Sequence, residues 1–438
     1  MSEALERHMM EKFTPEKLAR MRRRIGIPAR PTTVEPFNRV SSEDTIRHYV
    51  NGGGDDNPLF CDPEQAKTTR WGGVIAPITY LNTMGEKDPD TPAWTPEQAE
   101  AMGGGDPLRG IHAFMSGATW ECYRPIRPNR RMLSRHALVG VIEKQSAFAD
   151  RSVLLPSGRA YRDASVDGAP GDLIAWREVL MIHTERDTAA KKGKYAGIER
   201  PVYTPKEIAE IDEAYANEFR RGADILFWED VEAGPLPLMV KGPLTVTDII
   251  FWHQGGNERA YGLSPLRLAW KNRQRIPAFY LPNEFGAWDA AQRCHWDDAL
   301  AQAVGNPFAY DYGAMREAWL VQYVNNWIGD DGWLWRFHGE MRRFNYIGDT
   351  TWIRGEVTGR REVDGGRFAV DLALRGENQR GETSTVGWAT VLLPSRRHGA
   401  VKLPDPPEGV QTIHELFEAK VAAYRSGEQH AWPPPAAG

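Results

Sequence analysis

Between Gly313 and Ile328, apolar residues fall at Met315, Trp319, Leu320, Tyr323, Val324, Trp327 and Ile328. That three-and-four spacing predicts a helix whose apolar face is broad enough to be enclosed by other structure. A period of two dominates elsewhere. TWECYRPIRPNRRMLSRHALVGVIEK (Thr119 to Lys144) alternates apolar and polar positions around a Pro-Asn turn, and Leu173 to Thr184 predicts a second strand region. After the helix, MRRFNYIG, TTWIRGEVTGRRE, GRFAVDLALRGEN and ETSTVGWATVLLP predict strands joined by polar turns. A long helix followed by an antiparallel meander that can wrap it gives an α+β fold.

The polar stretches predict how these elements are joined. Ile46 to Val50 reads as a helix end, followed by the Gly52 to Gly54 turn and an Asp55-Asp56-Asn57-Pro58 corner. Pro58 forces Asn57 out of helical geometry, and Asp62 caps a short helix from Pro63 to Thr69. Lys191 to Asn217 reads as a polar, helix-prone connector with a Thr204-Pro205 start. Thr247 is placed as the cap of a helix beginning at Asp248. The tail carries one helix, Thr412 to Tyr424, and a proline-rich end.

The second half echoes the first. Arg124 and Arg135 are eleven apart, as are Arg343 and Arg354, each pair in a similar frame. FCDPEQAKTTRWGG aligns with HWDDALAQAVGNPF, setting Phe60 over His295, Asp62 over Asp297 and Ala66 over Ala301. Matches that keep their order imply a duplicated fold. The expected organisation is an N-terminal helical extension (1–35), a first half (36–190), a connector (191–225), a second half (226–400) and a tail (401–438).

Composition narrows the function. At 438 residues the chain suits two domains of roughly 200 residues. A net charge of -5 argues against a nucleic-acid binder, and no apolar run approaches the ~20 residues that span a bilayer. Cys61, Cys122 and Cys294 form no CxxC pair, which favours a reducing, cytoplasmic setting without structural zinc. His295-x-Asp297 lacks further ligands at metal spacing.

The motif DDNPLFCDPEQAKTTRWGGVIAP, followed by WECYRPIRPNRRM, resembles the MaoC-like acyl dehydratases, the R-specific enoyl-CoA hydratase group. In particular it resembles their double-hot-dog members with a FAS1-like N-terminal half. KGPLTVTD, PNEFG, HWDDALA, YDYGAMR and WIGDDG extend the likeness to the second half. The resemblance implies a tandem hot-dog fold, each half an antiparallel sheet wrapped around a central helix. It also implies hydration or dehydration of an acyl thioester, 2-enoyl-CoA to 3-hydroxyacyl-CoA, with no cofactor.

The family motif G-D-x-N-P-[IL]-H-x-D is split here. Gly54 to Leu59 match it, but Phe60 stands where the histidine belongs. His295-Trp296-Asp297 supplies histidine and aspartate, while Ala290 and Gln292 replace Asp and Asn. Asp289 lies one residue away, and Trp252 to Asn257 resembles the motif's start, separated from His295 by a long insertion. The family's I-A-H-G-M glycine is kept as Gly313 without its histidine.

Such a reaction needs a base for water, an acid for Cα and a donor for the thioester carbonyl. By this resemblance His295 and Asp289 are the candidate acid–base groups, and Gly313 is the backbone donor at a helix start. Asp55 with Asn57 is the alternative set, and His253 is kept under watch. For coenzyme A phosphates the candidates are Arg124, Arg343 and Arg354, among the basic residues that also include Arg127, Arg130, Arg131 and Arg342. Trp319 is a candidate acyl contact. A homo-oligomer is expected, or a related hot-dog partner subunit. Two other readings stay open: a thioesterase or lyase on this scaffold, and a silent acyl-binding subunit completing a partner's site.

Overall fold

A computed structural model describes residues 11–29, 36–146, 150–185, 197–256 and 263–426. Eight long strands build one continuous sheet: β1 (His112–Cys122), β2 (Arg131–Leu138), β3 (Asp150–Ala164), β4 (Pro170–Thr184), β5 (Trp333–Met341), β6 (Thr351–Val363), β7 (Arg367–Asn378) and β8 (Thr383–Leu392). Across the sheet they run β2-β3-β4-β1-β5-β8-β7-β6, and short strands extend both edges. Each half thus places its first strand at the centre and its second at the rim. The halves are topological copies, joined where β1 and β5 pair antiparallel, with Arg336 opposite Glu121 and His338 opposite Thr119.

The helices are α1 (Glu43–Gly52), α2 (Val246–Gln254), α3 (Leu266–Arg275), α4 (Gly313–Ile328) and α5 (Ile413–Ser426). Helix α4 spans the bounds its apolar spacing predicts and is buried along nearly its whole length. Trp319, Leu320, Val324 and Ile328 lie in the main core, each worth about 1.5–3 kcal/mol of apolar burial. Even its polar residues are enclosed. The carboxylate of Glu317 accepts from Trp120 Nε1 and from Arg177 Nη2 (2.8 Å), so the second half's helix is ion-paired to a first-half strand.

The first half lacks an equal helix. Its counterpart is a six-residue 3₁₀ segment, Ile78–Thr83. Ile78, Thr79 and Thr83 are β-branched, and Gly85 turns the chain away at φ +119°. The first-half sheet is covered on both faces. Met132 and Tyr161 point to the main core, while Leu133 and Ala160 point outward to Leu416 and Phe417 of α5.

Local capping explains where several elements differ from expectation. Helix α2 is capped by Thr245, two residues before the expected Thr247, because Thr245 and Asp248 form a reciprocal capping box. The helix predicted to Thr69 ends at Lys67, and an added turn, Pro58–Cys61, is capped by Asn57. MRRFNYIG is not a strand. The strand lies earlier, at β5, and Asn345 pins the loop after it by donating to Asp311 (3.3 Å) and Thr351 (3.0 Å). The start of the Lys191 connector, Asn257 of the motif-like stretch and the proline-rich end lie outside the described residues. Among the described residues, no helix is long and apolar enough to cross a membrane.

Candidate active site

The duplication extends to the loops. Asp62 caps Pro63–Lys67, and Asp297 caps Asp298–Ala303. Gly72 and Gly305, which follow these helices, both adopt positive φ, +66° and +96°. Isolated bridges Ala76–Ile126 and Tyr310–Tyr346 then lead into Ile78–Thr83 and α4. Phe60 and His295 are therefore structural equivalents, as the paired sequences imply.

His295 ends a 3₁₀ turn, Ala291–His295. Its ring stacks on Tyr312 with centroids 3.7 Å apart and planes at 27°, and Tyr310 meets it edge-on at 4.7 Å. Tyr312 is the cap residue of α4, so the stack sets His295 beside the helix start at Gly313. Nδ1 lies 2.8 Å from the Tyr310 carbonyl. A carbonyl only accepts, so Nδ1 carries the proton and Nε2 keeps a lone pair. Burial lowers the His295 pKa to about 4, with the neighbouring His253 pushing the same way, so the ring is neutral near pH 7.

Gly313 is closely approached. A Cβ there would lie 3.2 Å from the side chain of Met115 on β1. Just before it, the buried Asp311 is raised to about 7 by burial although Arg316 Nε stands 2.9 Å away.

The other candidates are elsewhere. Asp289 is half-buried on a hairpin of Tyr280–Pro282 and Trp288–Ala290, where its carboxylate accepts the Ala290 N–H at 2.7 Å. Among the described residues it makes no polar contact with His295 or Gly313. The Asp55 carboxylate accepts the Asn57 N–H (3.0 Å), and Asn57 in turn accepts from Leu59 N–H (3.1 Å). Burial raises Asp55 to about 6, opposed by the Asn57 N–H and by Lys241. Gln322 of α4 donates to the Gly54 carbonyl at 3.4 Å. Gln322 lies nine residues beyond Gly313, about 13 Å along the axis, so the two candidate sets meet α4 at different heights.

A narrow apolar cavity of about 50 Å³ adjoins the first-half loop, lined among others by Asn57, Phe60, Trp71, Ile78, Arg124 and Asn325. It occupies the position in the first half that His295 and Gly313 define in the second, without an acid–base side chain at Phe60. Trp319 is buried in the main core. Most of the arginines named from the sequence are engaged. Arg124 donates to the Pro404 carbonyl (2.7 Å), Arg354 pairs with Glu377 (3.4 Å), Arg130 with Asp163 (2.6 Å), Arg131 with Glu86 and Arg342 with Glu340. Arg127 donates to the Trp71 carbonyl (2.8 Å), and Arg343 helps hold Glu382 below its usual range.

Sequence reasoning missed Tyr312 and underweighted His253. The Tyr312 hydroxyl and His253 Nε2 are 3.0 Å apart, completing a His253–Tyr312–His295 cluster edged by Trp296. The one local signal was the Tyr-Asp-Tyr bracket directly before Gly313.

A family model described as the FAS1-like dehydratase domain region matches residues 32–156. A search of curated proteins gives no match. Among solved structures, a MaoC-like dehydratase aligns with a TM-score of 0.54 at 15% identity, covering 84% of this chain and 98% of its own. A MaoC domain protein dehydratase from Chloroflexus aurantiacus J-10-fl gives 0.44 at 10% identity over 84% of this chain and 100% of its own. A MaoC-like dehydratase from Phytophthora capsici gives 0.43 at 10%, over 82% and 94%. With a first half that matches a FAS1-like dehydratase region and a duplicated sheet shared with a MaoC-like dehydratase, the chain has the MaoC-like double hot-dog fold.

Proposed function

We propose that the protein interconverts a 2-enoyl and a 3-hydroxyacyl thioester of coenzyme A by adding or removing water. In the hydration direction, neutral His295 takes a proton at Nε2 while the water oxygen bonds to Cβ. The double-bond pair moves toward the thioester, and the N–H of Gly313, at the positive end of α4, meets the enolate oxygen. The imidazolium then returns its proton to Cα, so atoms and charge balance. Asp289 enters this scheme as the carboxylate that orients the water, once its bond to the Ala290 N–H is released. The reading includes a cytoplasmic setting and a homo-oligomer or partner-assisted assembly.

The observation that carries it is the stack of His295 on the residue capping α4. Hydration of a short trans-2-enoyl-CoA, followed by loss of enoyl absorbance, tests it. Wild type is expected to turn over, and His295→Ala to fall by ~100-fold or more. Full activity in His295→Ala sinks the assignment. A second reading, a silent acyl-binding subunit, draws on the internally bonded Asp289 and on Phe60. An inert wild type that still binds enoyl-CoA would favour it.

A further inference from the structure

Helix α3 and the hairpin after it fill the described part of the insertion that separates the two pieces of the split motif. Helix α3 has no buried residue. Leu268 and Trp270 on it are 47% and 50% exposed, and Trp288 on the hairpin is 55% exposed. The helix carries Arg267, Lys271, Arg273 and Arg275 and no acid, while the whole chain has a net charge of -5. Across residues 263–290 the acids are Glu284 and Asp289. Arg267, Lys271 and Arg275 recur at every fourth position and so share one stripe, with Trp270 and Arg273 on the stripe beside it.

Among the described residues, none of these four cations forms an ion pair. Two lie over aromatic rings instead: Arg273 is 5.0 Å from the Trp288 ring centroid, and Arg267 is 6.0 Å from that of Trp270. Exposed indole faces backed by guanidinium groups suit a flat base carrying phosphates. The rings stack on the base, and the forked donors take phosphate oxygens.

This surface is tied to the candidate site. Arg293 donates to the carbonyls of Leu281 (3.0 Å) and Pro282 (2.9 Å) on the hairpin. The strand Trp288–Ala290 runs straight into the turn that ends at His295. At the rise of a 3₁₀ turn, the hairpin stands on the order of 10 Å from His295, within reach of a pantetheine arm.

From this placement we propose that α3 and its hairpin hold the adenosine 3′,5′-bisphosphate end of coenzyme A, with Trp270 and Trp288 contacting the base and Lys271, Arg273 and Arg275 the phosphates. The proposal rests on the thioester reading above and adds a site to it.

The test is binding of adenosine 3′,5′-bisphosphate itself, read by quenching of tryptophan fluorescence and by calorimetry. Wild type is expected to bind it, less tightly at high salt. Lys271→Glu/Arg275→Glu should weaken binding about tenfold or more, and Trp270→Ala should remove much of the quenching. Because α3 is exposed, unchanged far-ultraviolet circular dichroism is the folding control. Absence of binding by wild type overturns the proposal, as does equal affinity in the charge-reversed protein. It also fails if the substitutions dissociate an oligomer, or weaken capture of an acidic carrier protein, while bisphosphate binding is untouched. Bisphosphate binding alongside inert enoyl-CoA would defeat the hydratase reading alone, and turnover without such binding would defeat only this inference.

Discussion

The imidazole of His295 lies flat against the phenol of Tyr312, and the Tyr312 hydroxyl meets His253 Nε2 at 3.0 Å. Stacking fixes the plane of the imidazole, and the hydroxyl bond fixes the phenol. Tyr312→Phe keeps the ring and loses the bond to His253. Its hydration rate should fall by about tenfold or less, the worth of one hydrogen bond, whereas Tyr312→Ala should fall much further. Equal losses in both variants would mean that the stack does not hold His295.

The low pKa of His295 predicts the acid limb of the rate profile. The ring acts as a base only when neutral, and it becomes protonated as pH falls through about 4. Rates should therefore stay level from pH 7 down to pH 5 and drop below that range. A limb centred near 6.5, the ordinary histidine value, would mean the ring is solvated in the working enzyme.

Asp55 gives a stability test with the opposite sign. Its folded pKa, about 6, exceeds the ordinary 3.8 of an unfolded aspartate, so the folded state binds more protons between those values. Its contribution to stability is fully present below 3.8 and is lost as pH rises through 6. Asp55→Asn does not titrate. The stability of wild type relative to Asp55→Asn should decline from pH 4 to pH 7, as read by denaturant midpoints. A flat difference would show that Asp55 is solvated.

Glu317 and Arg177 predict coupling between the halves. Removing one partner leaves a buried charge, so Glu317→Gln and Arg177→Met should each destabilise by about 3–5 kcal/mol. The double substitution should cost less than the two single costs added together, which a thermodynamic cycle measures. Strict additivity would deny the pairing.

Gly313→Ala separates catalysis from folding. The new methyl would meet Met115, whose flexible side chain can give way, so the melting temperature should shift little. Turnover should drop more than stability if the thioester carbonyl approaches the backbone there.

Helix α4 was legible to its terminal residues because its spacing is helical throughout and Gly313 and Gly329 bracket it. The order of the strands followed from the repeat. β5 was less legible: in WLWRFHGEM, Trp333 and Leu334 are both buried, and a bulge beside them breaks the alternation that marks a strand. The site was half-legible. His295 and Gly313 are eighteen residues apart and share a motif, whereas His253 meets Tyr312 across 59 positions. No local pattern encodes a ring stack formed by distant loops. The Arg177–Glu317 pair, 140 positions apart, was hidden for the same reason.

The seam between β1 and β5 has a genetic consequence. Two identical subunits closing one sheet would carry every substitution twice, once in each copy of the loop. In a single chain the copies drift separately. Phe60 can replace a histidine, and the first half's helix can shrink to Ile78–Thr83, while His295 and α4 stay as they are. Fusion here gave selection two loops to edit one at a time.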